Sequence, residues 1–380
     1  MLDLGEQRLA DFRDDTEQPP AFPLTLMFCN GCGLAQLSET VPRKEMYHER
    51  YGFKSGVNDT IRADLKDIVE STLQKIAPRN WLDIASNDGT LLSFVPKGIW
   101  RTGVDPVTKY CREAEQHATE IVNSYFEPSL FQERFDVVSS VSVFYDLDDP
   151  NEFVAGVKSV LADDGVWVVQ QNYLADTVRL NAVDNICHEH VTYFSLIALE
   201  KLLRRHGLEV FDVSMSSVNG GCIRTFIARE GVREVAPQVG WQIKNEISKS
   251  LHTDAPYRDW AKRVWAGLDD LRAFVEDANE RGERVAIYGA STRGGTIWQA
   301  AGFTADDFCY AVERNPEKVG KIMSSLGVPV VSEEHARADK PDYMLVSIWF
   351  FRDEIIEREA DYLAAGGKLV FPLPDLEIVG

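Results

Sequence analysis

The middle of the sequence alternates between apolar, strand-like runs and segments with helical spacing, and this alternation constrains the fold more than any other feature. The strand-like runs include "NWLDIA", "RTGVDP", "FDVVSSVSVF" and "GVWVVQQNY". The segments between them, such as "PNEFVAGVKSVL", repeat their apolar residues with the period of a helix. Strands that alternate with helices predict a parallel sheet covered on both faces. A further helix and two strands are predicted to close this domain near residue 230.

The length of the chain and its changes in pattern predict several domains. A chain of 380 residues exceeds what one hydrophobic core usually organises. We predict an N-terminal module at residues 1–57, an α/β domain at 58–232, a helical connector at 233–282 and a second α/β domain at 283–380. The last domain is indicated by a return of strand-like runs, such as "RVAIYGAS" and "DYMLVSIW".

The overall charge and the cysteine content exclude some classes of function. The formal net charge of −20 argues against nucleic acid or an anionic membrane as the main partner. Neither a signal peptide nor an apolar run of the roughly 18–20 residues needed to span a bilayer is found. Six scattered cysteines need no disulfide framework, so we expect a cytoplasmic protein, either a monomer or a small homo-oligomer.

The loop after the first strand of the α/β domain predicts a ligand site. In "WLDIASNDGTLL" the strand ends at Asp83 and a helix opens after Gly89, so helix N-terminal amides can face a ligand. The next strand ends at Asp105, where a carboxylate can bind ribose hydroxyls. These features favour a cofactor of nucleoside type, although ordinary strand-to-helix turns have the same pattern. A dinucleotide loop would prefer Gly-x-Gly-x-x-Gly, whereas this loop has Asp83, Ala85, Asn87 and Gly89 at alternate positions.

The N-terminal segment contains a pair of cysteines in "CNGCG". Cys29 and Cys32 stand between two β-like runs, a knuckle that often presents two thiolates to zinc. A closed structural zinc site needs four ligands, and this pair supplies two. We therefore predict no metal site from this sequence.

Together these motifs resemble the sugar C-methyltransferase family, which methylates a carbon of nucleotide-linked keto-deoxyhexoses. The similarity runs from Leu2 to the C-terminus, through "LDIASNDGTLL", "DNICHEHVTYFS", "NGGCIRTFIA", "IYGASTRGGT" and "GGKLVFPLP". The resemblance implies an α/β protein with three domains: a zinc-knuckle-like N-terminal module, a central class I methyltransferase domain of Rossmann-like fold and a second Rossmann-like C-terminal domain. It also implies S-adenosylmethionine as cofactor, bound by Asp83, Ala85, Asn87, Gly89 and Asp105. The partner it implies is a nucleotide-sugar or similar anionic small molecule, held between the last two domains.

Several positions depart from the family pattern. The family's zinc site has four cysteines, so either the native chain extends upstream or the module folds without zinc. Cys187 stands in place of a tyrosine, Phe53 in place of the second tyrosine after Tyr51, Asp146 in place of a histidine and Gln170 in place of a glutamate. We predict substrate contacts at Tyr51, Phe53, Asp146 and Cys187. Because these groups change together, the resemblance leaves the sugar and the acceptor atom open.

The cluster His188-Glu189-His190 is the predicted catalytic centre. In an extended segment the two imidazoles share one face and Glu189 lies opposite. Carbon methylation beside a ketone requires loss of a C–H proton, and imidazole titrates near neutral pH. We predict His190 as the base or proton relay, Glu189 as an orienting group or sugar ligand, and His188 as a donor to the enolate oxygen. A metal site and imidazoles bonded to backbone carbonyls are the alternatives.

Two arginines are predicted to bind phosphate, and the function then follows from the whole set of motifs. Arg224 follows the turn "NGG", and Arg293 lies at a predicted helix N-terminus. Both loops also have an ordinary structural interpretation.

We predict an S-adenosylmethionine-dependent methyltransferase that acts on a nucleotide-activated keto sugar, at a carbon beside the keto group and through an enolate. The alternatives are methylation of oxygen or nitrogen and a nicotinamide-dependent oxidoreductase that uses the C-terminal domain.

Overall fold

The computed structural model describes residues 1–46 and 54–380, and three sheets with flanking helices account for most of them. In chain order the strands are β1 (Leu2–Arg8), β2 (Phe12–Arg13), β3 (Ala21–Phe28), β4 (Ala35–Leu37), β5 (Asn80–Ile84), β6 (Trp100–Asp105), β7 (Glu120–Asn123), β8 (Phe135–Val141), β9 (Leu161–Asn172), β10 (Thr192–Tyr193), β11 (Leu208–Ser216), β12 (Cys222–Arg229), β13 (Val285–Tyr288), β14 (Ala311–Glu313), β15 (Ile322–Met323), β16 (Val328–Ser332), β17 (Tyr343–Val346), β18 (Lys368–Phe371) and β19 (Glu377–Val379). The helices are α1 (Arg43–Met46), α2 (Asp59–Leu73), α3 (Thr90–Phe94), α4 (Thr108–Ala114), α5 (Pro150–Val160), α6 (Leu174–Arg179), α7 (Leu196–Arg205), α8 (Pro237–Ser248), α9 (Ala255–Glu280), α10 (Thr292–Ala300), α11 (Glu333–Asp339), α12 (Arg352–Arg358) and α13 (Ala360–Ala364).

The central sheet has seven strands in the order β11-β12-β9-β8-β5-β6-β7. From β7 to β9 the strands are parallel, whereas β12 runs antiparallel to both β9 and β11. Strand β8 and the second part of β9 are buried at nearly every position, as expected for central strands of a parallel sheet covered on both faces. This topology confirms the predicted Rossmann-like α/β fold and collects the carboxyl ends of the parallel strands at one edge.

The other two sheets cross the boundaries that the sequence suggests. A four-stranded sheet, β1-β3-β4-β10, combines three N-terminal strands with β10 from the central region. The eight-stranded C-terminal sheet has the order β19-β18-β17-β13-β14-β16-β15-β2 and ends on the N-terminal strand β2. The N-terminal segment therefore does not form a closed sheet of its own. None of the helices in the described residues is both long and apolar enough to cross a membrane.

The side chain of Glu246 fixes helix α8 to the start of helix α7. Its carboxylate accepts hydrogen bonds from the backbone N–H of Leu196 and Ile197 (2.6 and 2.9 Å) and from the hydroxyl of Tyr173 (2.6 Å). Burial raises the pKa of Glu246, and these three donors oppose that rise. Helix α7 begins at Leu196, after the His188–His190 segment and the short strand β10.

Replacing Glu246 with alanine should lower the free energy of unfolding by about 3 kcal/mol, because it leaves one buried N–H group, one partly buried N–H group and one buried hydroxyl without an acceptor. Urea denaturation followed by circular dichroism measures the change. The matched control is Glu276→Ala on the exposed face of α9, which should change the value by less than about 0.5 kcal/mol. Equal losses in the two variants would contradict the capping role of Glu246.

Candidate active site

A cavity of about 760 Å³ opens at the carboxyl edge of the central sheet. This volume lies in the range of small-molecule and cofactor sites. Residues from several elements line it: Asp64 on α2, Asp83 at the end of β5, Asp105 at the end of β6, Asp146 after β8, Gln170 on β9 and Asn219 before β12. The strand ends that the sequence marked therefore meet at one cavity.

The loop from Ala85 to Gly89 adopts a glycine-like backbone although only its last residue is glycine. The φ angles of Ala85, Asn87 and Gly89 are +58°, +49° and +76°, all in the left-handed region. Two hydrogen bonds fix this path: the N–H of Ala85 donates to the carbonyl of Val104 (2.8 Å), and the N–H of Asn87 donates to the Asp105 carboxylate (2.9 Å). The loop thus keeps the compact turn that lets a ligand approach the backbone.

Gly89 is the loop position where no side chain fits. A Cβ added there would lie 2.8 Å from the Cα of Ala114 and 2.9 Å from its Cβ. Helix α3 begins directly afterwards at Thr90, so the first turn of α3 packs closely against helix α4. The close approach of the two helices sets the position of the amides at the start of α3.

Asp83 and Asp105 give this part of the cavity an acidic wall. The Asp83 carboxylate is buried and accepts a hydrogen bond from the Ser139 hydroxyl (2.6 Å); burial raises its pKa to about 7, and the charge of Asp105 adds to the rise. Burial also raises the pKa of Asp105, against the N–H groups of Val107 and Asn87. The nearby Ser86 hydroxyl is buried without a hydrogen-bond partner among the described residues. Two carboxyl groups and an unpaired hydroxyl are donors and acceptors that fit a nucleoside carrying a positive charge.

The His188 ring contacts the N-terminal sheet. Its Nε2 lies 3.1 Å from the carbonyl oxygen of Phe22 on β3, and its ring packs edge-on against that of Phe22 at 6.2 Å. Burial lowers the pKa of His188. These contacts support the structural alternative for His188 rather than the role of donor to an enolate. The next residue, Glu189, is half-buried.

The His190 ring is held in one orientation and one tautomer. Its Nδ1 lies 2.8 Å from the carbonyl oxygen of Asn185. A carbonyl oxygen only accepts, so Nδ1 carries the proton and Nε2 keeps its lone pair. Burial, followed by the charge of Arg293, lowers the pKa of His190 to about 3, so the ring is neutral at pH 7. The ring packs at 4.4 Å against Tyr145. The lining of the cavity includes the next residue, Asp146, but neither Tyr145 nor His190.

Two polar side chains of the same cluster are kept protonated by burial. Cys187 is buried, which raises the pKa of its thiol well above the usual value. Tyr193, on β10, is buried as well, and this raises the pKa of its phenol well above the usual value. A hydrogen bond from the backbone of Cys187 to its hydroxyl opposes part of this rise. Sequence reasoning did not single out Tyr193, and its place in "HEHVTYFS" was the only signal.

The two arginines predicted to bind phosphate are engaged inside the protein instead. Arg224 is 3% exposed, and its guanidinium donates to Gln170 (2.8 Å), Asp67 (2.7 Å) and Ser71 (3.0 Å), with Asp64 at 3.4 Å. This arrangement does not fit a phosphate ligand at Arg224, because each nitrogen of the guanidinium already has a protein partner. Sequence reasoning missed Asp64 and Asp67, although their spacing puts both on the face of α2 that meets the sheet.

Arg293, at the start of α10, forms an ion pair with Asp184 (2.5 Å) and donates to the carbonyl of Asn219 (3.1 Å). Asp184 belongs to the motif "DNICHEH" itself, so its proximity to the cluster could have been read from the sequence. Two further predicted contacts, Tyr51 and Phe53, lie outside the described residues.

The cysteine pair of the N-terminal segment does not fit a structural zinc site. Cys29 is exposed, and hydrogen bonds from the backbone and side chain of Cys32 lower the pKa of its thiol. Within residues 1–46 and 54–380, no three His, Cys, Asp or Glu side chains are grouped to hold a metal ion. Two thiols leave a tetrahedral site half-complete.

Replacing Gly89 with alanine should lower the free energy of unfolding by about 1–3 kcal/mol, because the new Cβ meets the backbone of Ala114 and the φ angle is left-handed. Differential scanning calorimetry measures the change. The control Gly98→Ala has open space around its Cβ and no left-handed φ, so it should be neutral within about 0.5 kcal/mol. A neutral Gly89→Ala would mean that α3 and α4 are not closely packed.

Three family models match successive parts of the chain. Residues 1–47 match the family model "Putative zinc binding domain", residues 57–213 match "Methyltransferase domain" and residues 217–374 match "C-methyltransferase C-terminal domain". The C-methyltransferase NovU of Streptomyces niveus is 29% identical over 377 residues, which cover 96% of this chain and 90% of NovU.

Solved structures overlap with part of the chain. The N-methyltransferase NodS from Bradyrhizobium japonicum covers 46% of this chain and 98% of its own, with 16% identity and a TM-score of 0.37. The magnesium protoporphyrin IX methyltransferase ChlM from Synechocystis covers 47% of this chain and 90% of its own, with 14% identity and a TM-score of 0.37. The family models and NovU together span nearly the whole chain. The chain is therefore similar to C-methyltransferases over nearly its whole length, as its motifs indicate, and it is an S-adenosylmethionine-dependent methyltransferase.

Proposed function

We propose that this methyltransferase acts on a carbon beside the keto group of a nucleotide-activated sugar, through an enolate. The observation that supports the proposal most is the state of His190: a neutral, buried imidazole whose Nδ1–H is held by the Asn185 carbonyl and whose Nε2 keeps its lone pair. A neutral imidazole with a free lone pair at Nε2 can accept a C–H proton. Transfer to oxygen or nitrogen depends less on such a base and more on positioning.

The donor end of the site is formed by the loop after β5 and the end of β6. S-Adenosylmethionine supplies an electrophilic methyl group on a positively charged sulfur when bound. Asp105 would hold the ribose hydroxyls with the carboxylate lone pairs that Asn87 and Val107 leave free. The left-handed backbone at Ala85 and Asn87 and the absence of a side chain at Gly89 let the loop pass close to the methionine part. Asp83 adds a carboxyl group beside it.

The acceptor end needs a base and a donor for the enolate oxygen. His190 would take the proton at Nε2, and the Asn185 carbonyl would stabilise the resulting imidazolium through its Nδ1–H. Burial keeps the ring neutral but also makes it a weak base, so the enolate oxygen must be stabilised strongly. The hydroxyl of Tyr193, which burial keeps protonated, would donate to that oxygen. The family's donor tyrosine is Cys187 here, a weaker donor.

Replacing Asp105 with asparagine should weaken binding of S-adenosylhomocysteine by at least about tenfold, because a charge-assisted acceptor is lost. Isothermal titration calorimetry measures the affinity. Asp163→Asn is the control: Asp163 is exposed and lies near the start of β9, at the opposite edge of the sheet, so its replacement should leave affinity unchanged. An unchanged affinity in Asp105→Asn would rule out the ribose role.

Hydrogen exchange tests the enolate directly. With S-adenosylhomocysteine bound and a nucleotide-activated keto sugar in D2O, the enzyme should catalyse exchange of the C–H beside the keto group, because no methyl group is available to trap the enolate. Mass spectrometry and NMR of the recovered sugar measure the deuterium. His190→Gln should reduce the exchange rate by at least about 100-fold.

The control for this experiment is His188→Gln, which replaces a ring bonded to the Phe22 carbonyl and should retain exchange. If the two histidine variants lose exchange equally, the base is not assigned to His190. Methyl transfer to the sugar without any exchange in the wild-type enzyme would favour methylation of oxygen or nitrogen and overturn the enolate.

A further inference from the structure

Arg293 connects the C-terminal sheet domain with the turn that holds the proposed base. It lies in the first turn of α10, and its guanidinium pairs with Asp184 at 2.5 Å and donates to the carbonyl of Asn219 at 3.1 Å. The same guanidinium stacks over the ring of Phe350 at 4.8 Å. Asp184 is completely buried, so its charge depends on Arg293 for compensation.

The turn that contains Asp184 also orients His190. Asp184 and Asn185 belong to one 3-10 turn, Val183–Asn185, whose residues are all buried. The Asn185 side chain is fixed at both ends: its amide donates to Thr177 (2.9 Å) and its oxygen accepts from Asn172 (2.7 Å). The Asn185 carbonyl then fixes Nδ1 of His190. The ion pair and the imidazole are thus two attachments of one rigid turn.

We propose that Arg293 is a positioning residue for His190, which acts across the contact between the two domains through the Asp184–Asn185 turn and through its own positive charge. The proposal rests on the role of His190 proposed above. It replaces the prediction that Arg293 binds the phosphates of the substrate, because the guanidinium is held by Asp184, Asn219 and Phe350.

The charge of Arg293 also acts directly on the protonation of His190. The positive charge of Arg293 adds to the effect of burial and lowers the pKa of His190. The other titratable or charged groups of the cluster are Tyr145 and Asp146 on the turn after β8, Cys187, His188 and Glu189 on the same loop, Tyr193 on β10, Cys222 on β12 and Asp184. Arg293 is the cation that recurs among their charge interactions. Loss of this cation should therefore raise the pKa of His190.

The test is the protonation and tautomer of His190 in the full-length protein, measured by NMR of nitrogen-15-labelled histidine between pH 5 and 7. His190→Gln assigns the signal. In the wild type we expect a neutral ring in the Nδ1–H tautomer throughout. In Arg293→Gln we expect the pKa to rise by about 1–2 pH units, the effect of one nearby charge. The protonated fraction at pH 5 should then rise about tenfold or more, and the Nε2–H tautomer should appear.

Two further variants separate this role from a general structural one. Arg293→Lys keeps the charge and should keep the ring neutral at pH 5, which also provides a result if Arg293→Gln does not fold. Arg263→Gln is the matched control, because Arg263 also joins two elements, from α9 to Val178 and Asn181, and should leave the His190 signals unchanged. The proposal would be overturned if a folded Arg293→Gln had the same protonated fraction and tautomer as the wild type at pH 5, or if Arg293→Lys raised the protonated fraction as much as Arg293→Gln.

Enzyme activity provides a second test of the positioning role of Arg293. In Arg293→Gln, kcat should fall at least about tenfold while the affinity for S-adenosylhomocysteine stays unchanged, because the donor loop does not contact Arg293. Unchanged kcat in that variant would contradict the positioning role. The NMR measurement does not depend on turnover, so its result is independent of the deuterium-exchange experiment. Absence of deuterium exchange would refute the enolate mechanism but would not decide whether Arg293 controls the protonation of His190.

Discussion

The guanidinium of Arg224 is held inside the protein, and the walls of the cavity depend on how its charge is compensated. Strand β12 runs antiparallel to β9, which brings Arg224 directly opposite Gln170 in the sheet. The carboxylates that neutralise the arginine, Asp64 and Asp67, come from helix α2. Because a buried arginine without its carboxylates would cost several kcal/mol, α2 is fixed against the sheet edge. Asp64 then lies in the cavity wall, which gives the antiparallel strand a direct part in shaping the site.

A different constraint acts on the loop after β5, where residues other than glycine adopt a backbone conformation that is typical of glycine. Ala85 and Asn87 take left-handed φ angles that glycine adopts more readily. Asparagine tolerates this region well, whereas alanine costs about 1 kcal/mol or more. The hydrogen bonds to Val104 and Asp105 hold both residues in place. One glycine, Gly89, therefore suffices for a loop whose backbone follows a path that glycine adopts more readily.

Features that depend on neighbouring residues could be predicted from the sequence, whereas partners distant in the chain could not. The period of the apolar residues predicted the strands and helices of the central domain, and the strand ends at Asp83 and Asp105 do meet at one cavity. The partners of Arg224 and Arg293 lie more than a hundred residues away in Asp64, Asp67 and Asp184. A single sequence shows the charge of an arginine but not which buried carboxylate will neutralise it. For the same reason, the sequence did not show that β2 joins the C-terminal sheet or that β10 joins the four-stranded sheet of the N-terminal strands.

The acidic side chains of the cavity wall affect where the methyl donor and the substrate can bind. Of the described residues that line the cavity, none is lysine or arginine, while Asp64, Asp83, Asp105 and Asp146 all contribute carboxyl groups. Such a wall favours a sulfonium cation and opposes a phosphate. With Arg224 and Arg293 neutralised by protein carboxylates, the anionic part of a nucleotide-sugar would have to bind outside this cavity. If the proposed nucleotide-sugar is the substrate, only its uncharged ring would reach the donor, and the position of that ring relative to His190, the proposed base, would decide which carbon is methylated.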